Sequence, residues 1–421
     1  MKKRLGKGLG RNYSFLLSTV ALNGIGDGLT IIAIPWIATG ITDNALYISL
    51  ISVFMFLPWL LFTIPTGVIL DRYSNIYVML FTSVFRFMTL LIFCLLIYFD
   101  NLSFPSLVIL CFFIGTAKVL FDSSTQTIVP NLVDNANYEK ANGNLFSTRM
   151  ITSDLLGQGI GGLIITIALF LPILIDAFTA LLSIPLLLMI SYSKLPSSTY
   201  KLPDSKYKSK WRVLKEEQTF GIKFVWRNKF LRGLSLISIG ISMMYAGILS
   251  TQVLYVQNVL NLNAGGFGLL MVLTSIGSIV AGQTASKIKL AANNGMLLSI
   301  ICMGLALGFV GFTNNIYVVT ILYIFAAYSV VIWNVFRLSL IQRIVDQEIL
   351  GRVTSVFRLV SMGVTPFGML FGGLIVSILE NPFGLEIALR LPYILCMIVY
   401  ITSFFVAYKF FKSHKNILYK S

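Results

Sequence analysis

Charged and amide side chains that stand inside otherwise apolar stretches define the chemistry open to this chain. Asp27 interrupts the run ALNGIGDGLTIIAIPWI at residues 21–37, with Asn23 four residues before it. Lys118 and Asp122 are four residues apart in GTAKVLFDSS, Arg149 and Asp154 are five apart in STRMITSDLL, and Asn334 and Arg337 share VVIWNVFRLSL. A carboxylate near the middle of a bilayer costs roughly 2.5–3.5 kcal/mol on insertion scales, so such groups are kept for a reason. Two chemistries fit the first six. One is proton coupling, in which an acid reachable from each side in turn binds and releases a proton. The other is a set of static ion pairs, Asp27 with Lys118 and Asp122 with Arg149, that hold one half of the protein together.

Enzymatic alternatives lack their residues. His414 is the sole histidine and lies in the C-terminal tail, no Gly-x-x-x-x-Gly-Lys phosphate cradle occurs, and no acid cluster has metal-ligand spacing. Cys94, Cys111, Cys302 and Cys396 all fall in apolar runs without paired spacing, which predicts buried thiols. The chain is therefore read as a non-enzyme without a metal or cofactor. A channel is disfavoured by the absence of charged rings.

The elements that must position these residues follow from composition. Of 421 residues, 57% are hydrophobic and only 11% charged, with mean hydropathy +0.85, whereas soluble domains carry about 25% charged residues. An all-α polytopic membrane protein is implied, and about 20 apolar residues per crossing gives twelve spans. They fall near 13–40, 46–70, 76–99, 106–128, 143–169, 171–192, 232–258, 266–288, 294–313, 316–338, 354–379 and 389–411. The first apolar run exceeds a signal-peptide core and has no small-residue cleavage site after it, so the first span is expected to be retained.

Orientation follows from basic residues, which stay in the cytoplasm. Lys2, Lys3, Arg4, Lys7 and Arg11 precede the first span, and Lys409, Lys412, Lys415 and Lys420 follow the last. The alternate loops carry Asp43, Asp100, Glu380 and Glu386, which predicts cytoplasmic termini. The net charge of +16 resides in tails and inter-span segments rather than in a folded basic patch, so no nucleic-acid partner is expected. Segment 193–231 is predicted to be a cytoplasmic linker joining domains 1–192 and 232–421. From Trp211, the spacing of Leu214, Ile222, Val225 and Trp226 predicts an interfacial helix whose Lys215, Lys223, Arg227 and Lys229 meet lipid headgroups.

An internal repeat organises the twelve spans. VPNLVDNANYEKANGNLFSTRMITSDLLGQGIGGLI, from Val129, parallels IQRIVDQEILGRVTSVFRLVSMGVTPFGMLFGGLI, from Ile341. Val133-Asp134 matches Val345-Asp346, 212 residues on, while Gly157, Gly161 and Gly162 match Gly368, Gly372 and Gly373. Two six-helix pseudo-repeats in parallel are one common architecture of secondary transporters, with substrate bound near the midplane. At this offset Asn334 stands opposite Asp122, so protonation chemistry is expected in the N-terminal half.

Several motifs then carry a family likeness. GVILDRYSN, from Gly67, resembles the Gly-x-x-x-Asp-Arg signature loop of the major facilitator superfamily, although Ser74, Asn75 and Ile76 stand where its members usually have bases. GIGDGLTIIAIPWIATGITDNALYISLI, VPNLVDNANYEKANG and FGIKFVWRNKFLRG resemble the drug and siderophore exporter branch that includes macrolide efflux and enterobactin export proteins. The resemblance implies the major facilitator fold, with spans 1, 4, 7 and 10 around a central cavity and spans 3, 6, 9 and 12 peripheral. It further implies a latch at Gly67, Asp71 and Arg72, with Gly67 letting spans 2 and 11 approach closely. Trp36, Tyr245, Asn334 and Arg337 are the expected substrate-cavity residues, and Asp176 is expected near the outer surface, solvated. The function so implied is proton-driven export of an amphipathic small molecule from a bacterial cytoplasm by a monomer in the plasma membrane. A dedicated siderophore exporter and a non-transporting membrane sensor or scaffold are the alternatives.

Overall fold

The computed structural model describes residues 9–134, 137–190, 221–288 and 290–414. Every element in it is helical. The first half comprises α1 (Arg11–Thr39), α2 (Ala45–Arg72), α3 (Asn75–Tyr98), α4 (Phe104–Leu132), α5 and α6 (Leu171–Leu188). Of these, α5 runs without a break through three stretches: α-helical Tyr138–Arg149, π-helical Met150–Gly157 and α-helical Gln158–Ile165. The second half comprises α7 (Lys229–Asn258), α8 (Ala264–Thr284), α9 (Ala292–Val310), α10 (Ile316–Ile344), α11 (Gln347–Phe383) and α12 (Leu385–Ser413). All except α5 contain an uninterrupted stretch long and apolar enough to cross a membrane.

Helix boundaries follow the expected spans to within a few residues except on one side. Helices α4, α10 and α11 extend past their apolar cores into polar sequence, α11 beginning at Gln347 rather than near 354. Hydropathy marks only the part of a helix that meets lipid, whereas backbone hydrogen bonding continues through the polar turns beyond it. The Gly67–Arg72 signature is likewise helical, forming the last turns of α2 rather than a loop. Arg72 suits that place because a cation is favoured at a helix C-terminus.

The helices form two compact units, Met1–Ile34 with Leu61–Lys215, and Pro35–Leu60 with Glu216–Ser421. In the first unit α3 packs on α4 and α6; in the second, α9 packs on α10 and α12, and α7 on α11 and α12. The parallel between α3–α6 and α9–α12 is the duplication expected from sequence. The C-terminal end of α1 and the N-terminal part of α2 group with the second unit, so the compact units do not coincide with the repeat. Most of the linker, including Trp211, Leu214 and Lys215, lies outside the described residues; residues 221–227 are helical. Cys94, Cys111 and Cys396 are buried thiols, but Cys302 is exposed on α9, since an apolar run also supplies the residues that face lipid.

Candidate functional site

The first unit contains a chain of ion pairs across five helices. Lys118 Nζ of α4 donates to Asp27 Oδ2 of α1, and Arg86 Nη1 of α3 lies 2.5 Å from Asp27 Oδ1. The other arm of the guanidinium reaches α6, where Nη2 donates to Asp176 Oδ1 at 2.9 Å and Oδ2 at 2.7 Å. Thr30 Oγ1 also donates to Asp176 Oδ2. On the other flank, Lys118 Nζ is 3.7 Å from Asp122 Oδ2, and Arg149 Nη2 of α5 is 2.7 Å from Asp122 Oδ1. Three cations thus meet three carboxylates, and the assembly is neutral.

Both ion pairs expected from sequence are present, and the bridge between α1 and α6 corrects the rest. Asp176 is fully buried and bound, not solvated at the outer surface, and Arg86 is only 4% exposed. Arg86 went unrecognised because α3 was expected at the periphery. The signal was available: a lone arginine in TSVFRFMTL requires an acid partner as much as Asp27 requires a base. Asn23 takes no part, since its Nδ2 donates to Thr19 O of the preceding turn at 3.0 Å.

Asp154 stands apart from the network. It lies in the π-helical stretch of α5, where Gln158 Nε2 donates to its Oδ1 at 3.4 Å, and it forms no ion pair among the described residues. Single π-helical turns concentrate at functional sites because the wider turn re-aims side chains at the expense of regular hydrogen bonding.

Small residues bring these groups together. A Cβ on Gly26 would run into the Asp176 carboxylate and Thr179 Oγ1 of α6, so only glycine lets α1 approach close enough for Thr30 to reach Asp176. Gly28 of α1 meets Gly157 of α5, their Cα atoms so near that a Cβ on either would lie 2.7–2.8 Å from the other. The glycine row of α5 therefore serves close packing, as small residues do between membrane helices. Gly247 of α7 meets Gly368 and Gly372 of α11 in the same manner.

Among the described residues, nothing lies within 4 Å of the position a Cβ on Gly67 would occupy. Arg72 is exposed, and the side chain of Asp71 lies outside what the structure describes.

In the second unit Trp36 stacks on Phe267, with centroids 6.3 Å apart, and Trp333 and Phe336 are buried. Tyr245 is half-buried. Arg337 Nη2 donates to Asn334 Oδ1 at 2.9 Å, and Nη1 donates to Ser361 Oγ of α11 at 3.1 Å. Elsewhere in this unit buried polarity is met by hydroxyls: Tyr255 donates to Val310 O and Thr313 O, and Tyr323 and Tyr393 bond to each other at 2.6 Å. No group of metal-ligating side chains occurs among the described residues.

Known proteins share this architecture. A mutant of the nucleoside transporter NupG superposes with a TM-score of 0.78 at 12% identity, over 95% of this chain and 100% of that one. A bacterial homologue of the human lysosomal transporter Spinster, inward-facing and unoccupied, gives 0.73 at 15% identity, over 97% and 98%. A bacterial metal transporter gives 0.61 at 14%, over 94% and 99%. No curated protein matches the chain. At such identities the solved structures establish the fold alone. The family match is to the Major Facilitator Superfamily over residues 16–366. With twelve helices in a duplicated arrangement and a match across most of its length, the chain is a multi-pass membrane transport protein belonging to the Major Facilitator Superfamily.

Proposed function

We propose that this protein is a secondary active transporter that exports an amphipathic small organic molecule from a bacterial cytoplasm in exchange for protons, with Asp154 carrying the proton. The observation behind the assignment is the charge balance of the first unit. Asp27, Asp122 and Asp176 are each held in an ion pair with a cation, whereas Asp154 forms no ion pair among the described residues and accepts from the amide of Gln158. A proton can join or leave Asp154 without breaking an ion pair, while protonating Asp27 strands Arg86 and Lys118. Asp27 is then part of the frame that fixes α1, α3, α4 and α6, and Asp154 is the group free to titrate.

Direction of transport and substrate class rest on the likeness of GIGDGLTIIAIPWIATG and VPNLVDNANYEKANG to the exporter branch. Energy from a gradient is in keeping with a sequence that has no nucleotide cradle of its own. The test is accumulation of amphipathic dyes and antibiotics in inverted membrane vesicles, with and without a protonophore. Protonophore-sensitive accumulation that requires this protein is the expected result. Accumulation unaffected by collapse of the proton gradient, or none for any compound, contradicts it.

A further inference from the structure

We infer that Arg337 recognises an anionic group, a carboxylate, sulfonate or phosphate, on the transported molecule. The inference rests on the transporter reading above and concerns its substrate. Arg337 lies within α10, seven residues before its end at Ile344, or about 10 Å along the axis. Its two hydrogen bonds go to neutral oxygens, Asn334 Oδ1 and Ser361 Oγ, and it makes no ion pair among the described residues. In this it differs from Arg86, Lys118, Arg149 and Arg390, each of which meets a carboxylate. Cations in spanning segments pair with acids or mark the path of a substrate or ion.

The repeat sharpens the point. At the offset that aligns Val133 with Val345, Asn334 occupies the place of Asp122, the acid that binds Arg149 in the first unit. The second unit has an amide there beside a cation, and among the described residues no acid meets the guanidinium. Asn334 is exposed on α10, and its Nδ2 donates to Val330 O at 3.0 Å, which fixes the oxygen toward Arg337. Five N–H donors in a planar fork suit a bidentate acid, and two are occupied, leaving three for an incoming anion.

The same chemistry occurs in an anionic lipid headgroup, so the experiment separates the two sources. Full-length protein in nanodiscs of phosphatidylcholine is titrated with carboxyfluorescein, an amphipathic anion, and rhodamine 6G, a cation of similar ring size, by fluorescence polarisation. Carboxyfluorescein is expected to bind at least about tenfold more tightly than rhodamine 6G, and Arg337→Gln to remove about that factor. Arg337→Lys is expected to keep part of the preference, which guards against reading a folding defect as lost recognition. Adding phosphatidylglycerol to the discs should leave carboxyfluorescein binding unchanged. Equal binding by Arg337→Gln, preference for the cation, or no binding of either dye overturns the inference, and displacement by phosphatidylglycerol reassigns Arg337 to lipid and also overturns it. Equilibrium binding needs no gradient. Anion binding without pumping would therefore sink proton antiport alone, and pumping indifferent to Arg337 would sink the anion site alone.

Discussion

At the scale of single residues, the question raised by Asp27 has a geometric answer. Its two oxygens are held by different cations, Arg86 and Lys118, and Arg86 passes the link on to Asp176. The pairs Asp27–Lys118 and Asp122–Arg149 could be read from sequence because charges are few against an apolar background and lie at similar depths on different spans. That Arg86 needs an acid was legible, but that it bridges Asp27 and Asp176 was not, because this depends on which face of α3 and α6 points inward, and neither hydropathy nor the positive-inside rule reports rotation about a helix axis. The account carries a stability consequence. Arg86→Met leaves Asp27 and Asp176 buried with one partner lost, and removing one member of a buried pair typically costs about 3–5 kcal/mol. Thermal unfolding of the purified protein in detergent should show this loss, and adding Asp176→Asn in the same chain should restore part of it. A single Arg86→Met variant as stable as the parent contradicts the bridging role.

At the scale of elements, glycine decides how near the helices come. The row on α5 was legible in sequence as small-xxx-small spacing, but which glycines meet another helix was not, since spacing alone does not identify the partner. Gly26 and Gly28 are filled against, with Asp176 behind one and Gly157 behind the other, whereas Gly67 faces open space. Gly26→Ala should therefore displace α6, break the Thr30–Asp176 contact and lower yield and melting temperature. Gly67→Ala should be tolerated or stabilising by up to about 1 kcal/mol, because alanine favours a helix over glycine by that amount. Side-by-side melting curves check both, and a harmless Gly26→Ala contradicts the packing described. The π-helical stretch holding Asp154 had no signal in sequence, because a wider turn leaves composition unchanged.

At the scale of the whole molecule, twelve helices and a duplication were legible because both are long-range regularities: apolar length and a repeat half the chain away. The grouping of the end of α1 and the start of α2, Pro35–Leu60, with the second unit was not, since it is a property of tertiary contacts rather than of the repeat. The charge distribution still sets an orientation that can be checked. In a cysteine-free background, labels at Asn101 and Pro382 should react with an impermeant reagent from outside the cell, and a label at His414 should not. The reverse pattern contradicts cytoplasmic termini.

The central claim is that an acid outside the ion-pair network carries the proton, and reconstituted vesicles with an imposed pH gradient test it most directly. The dye best accumulated by the parent protein is followed in vesicles containing Asp154→Asn. Asparagine keeps the size and hydrogen bonding of the side chain but cannot titrate. The account predicts a folded protein that has lost uphill accumulation and retains downhill exchange of the dye. Asp27→Asn should instead lose stability, because Arg86 and Lys118 then share a neutral partner. Uphill accumulation by Asp154→Asn at the parent rate would contradict the account.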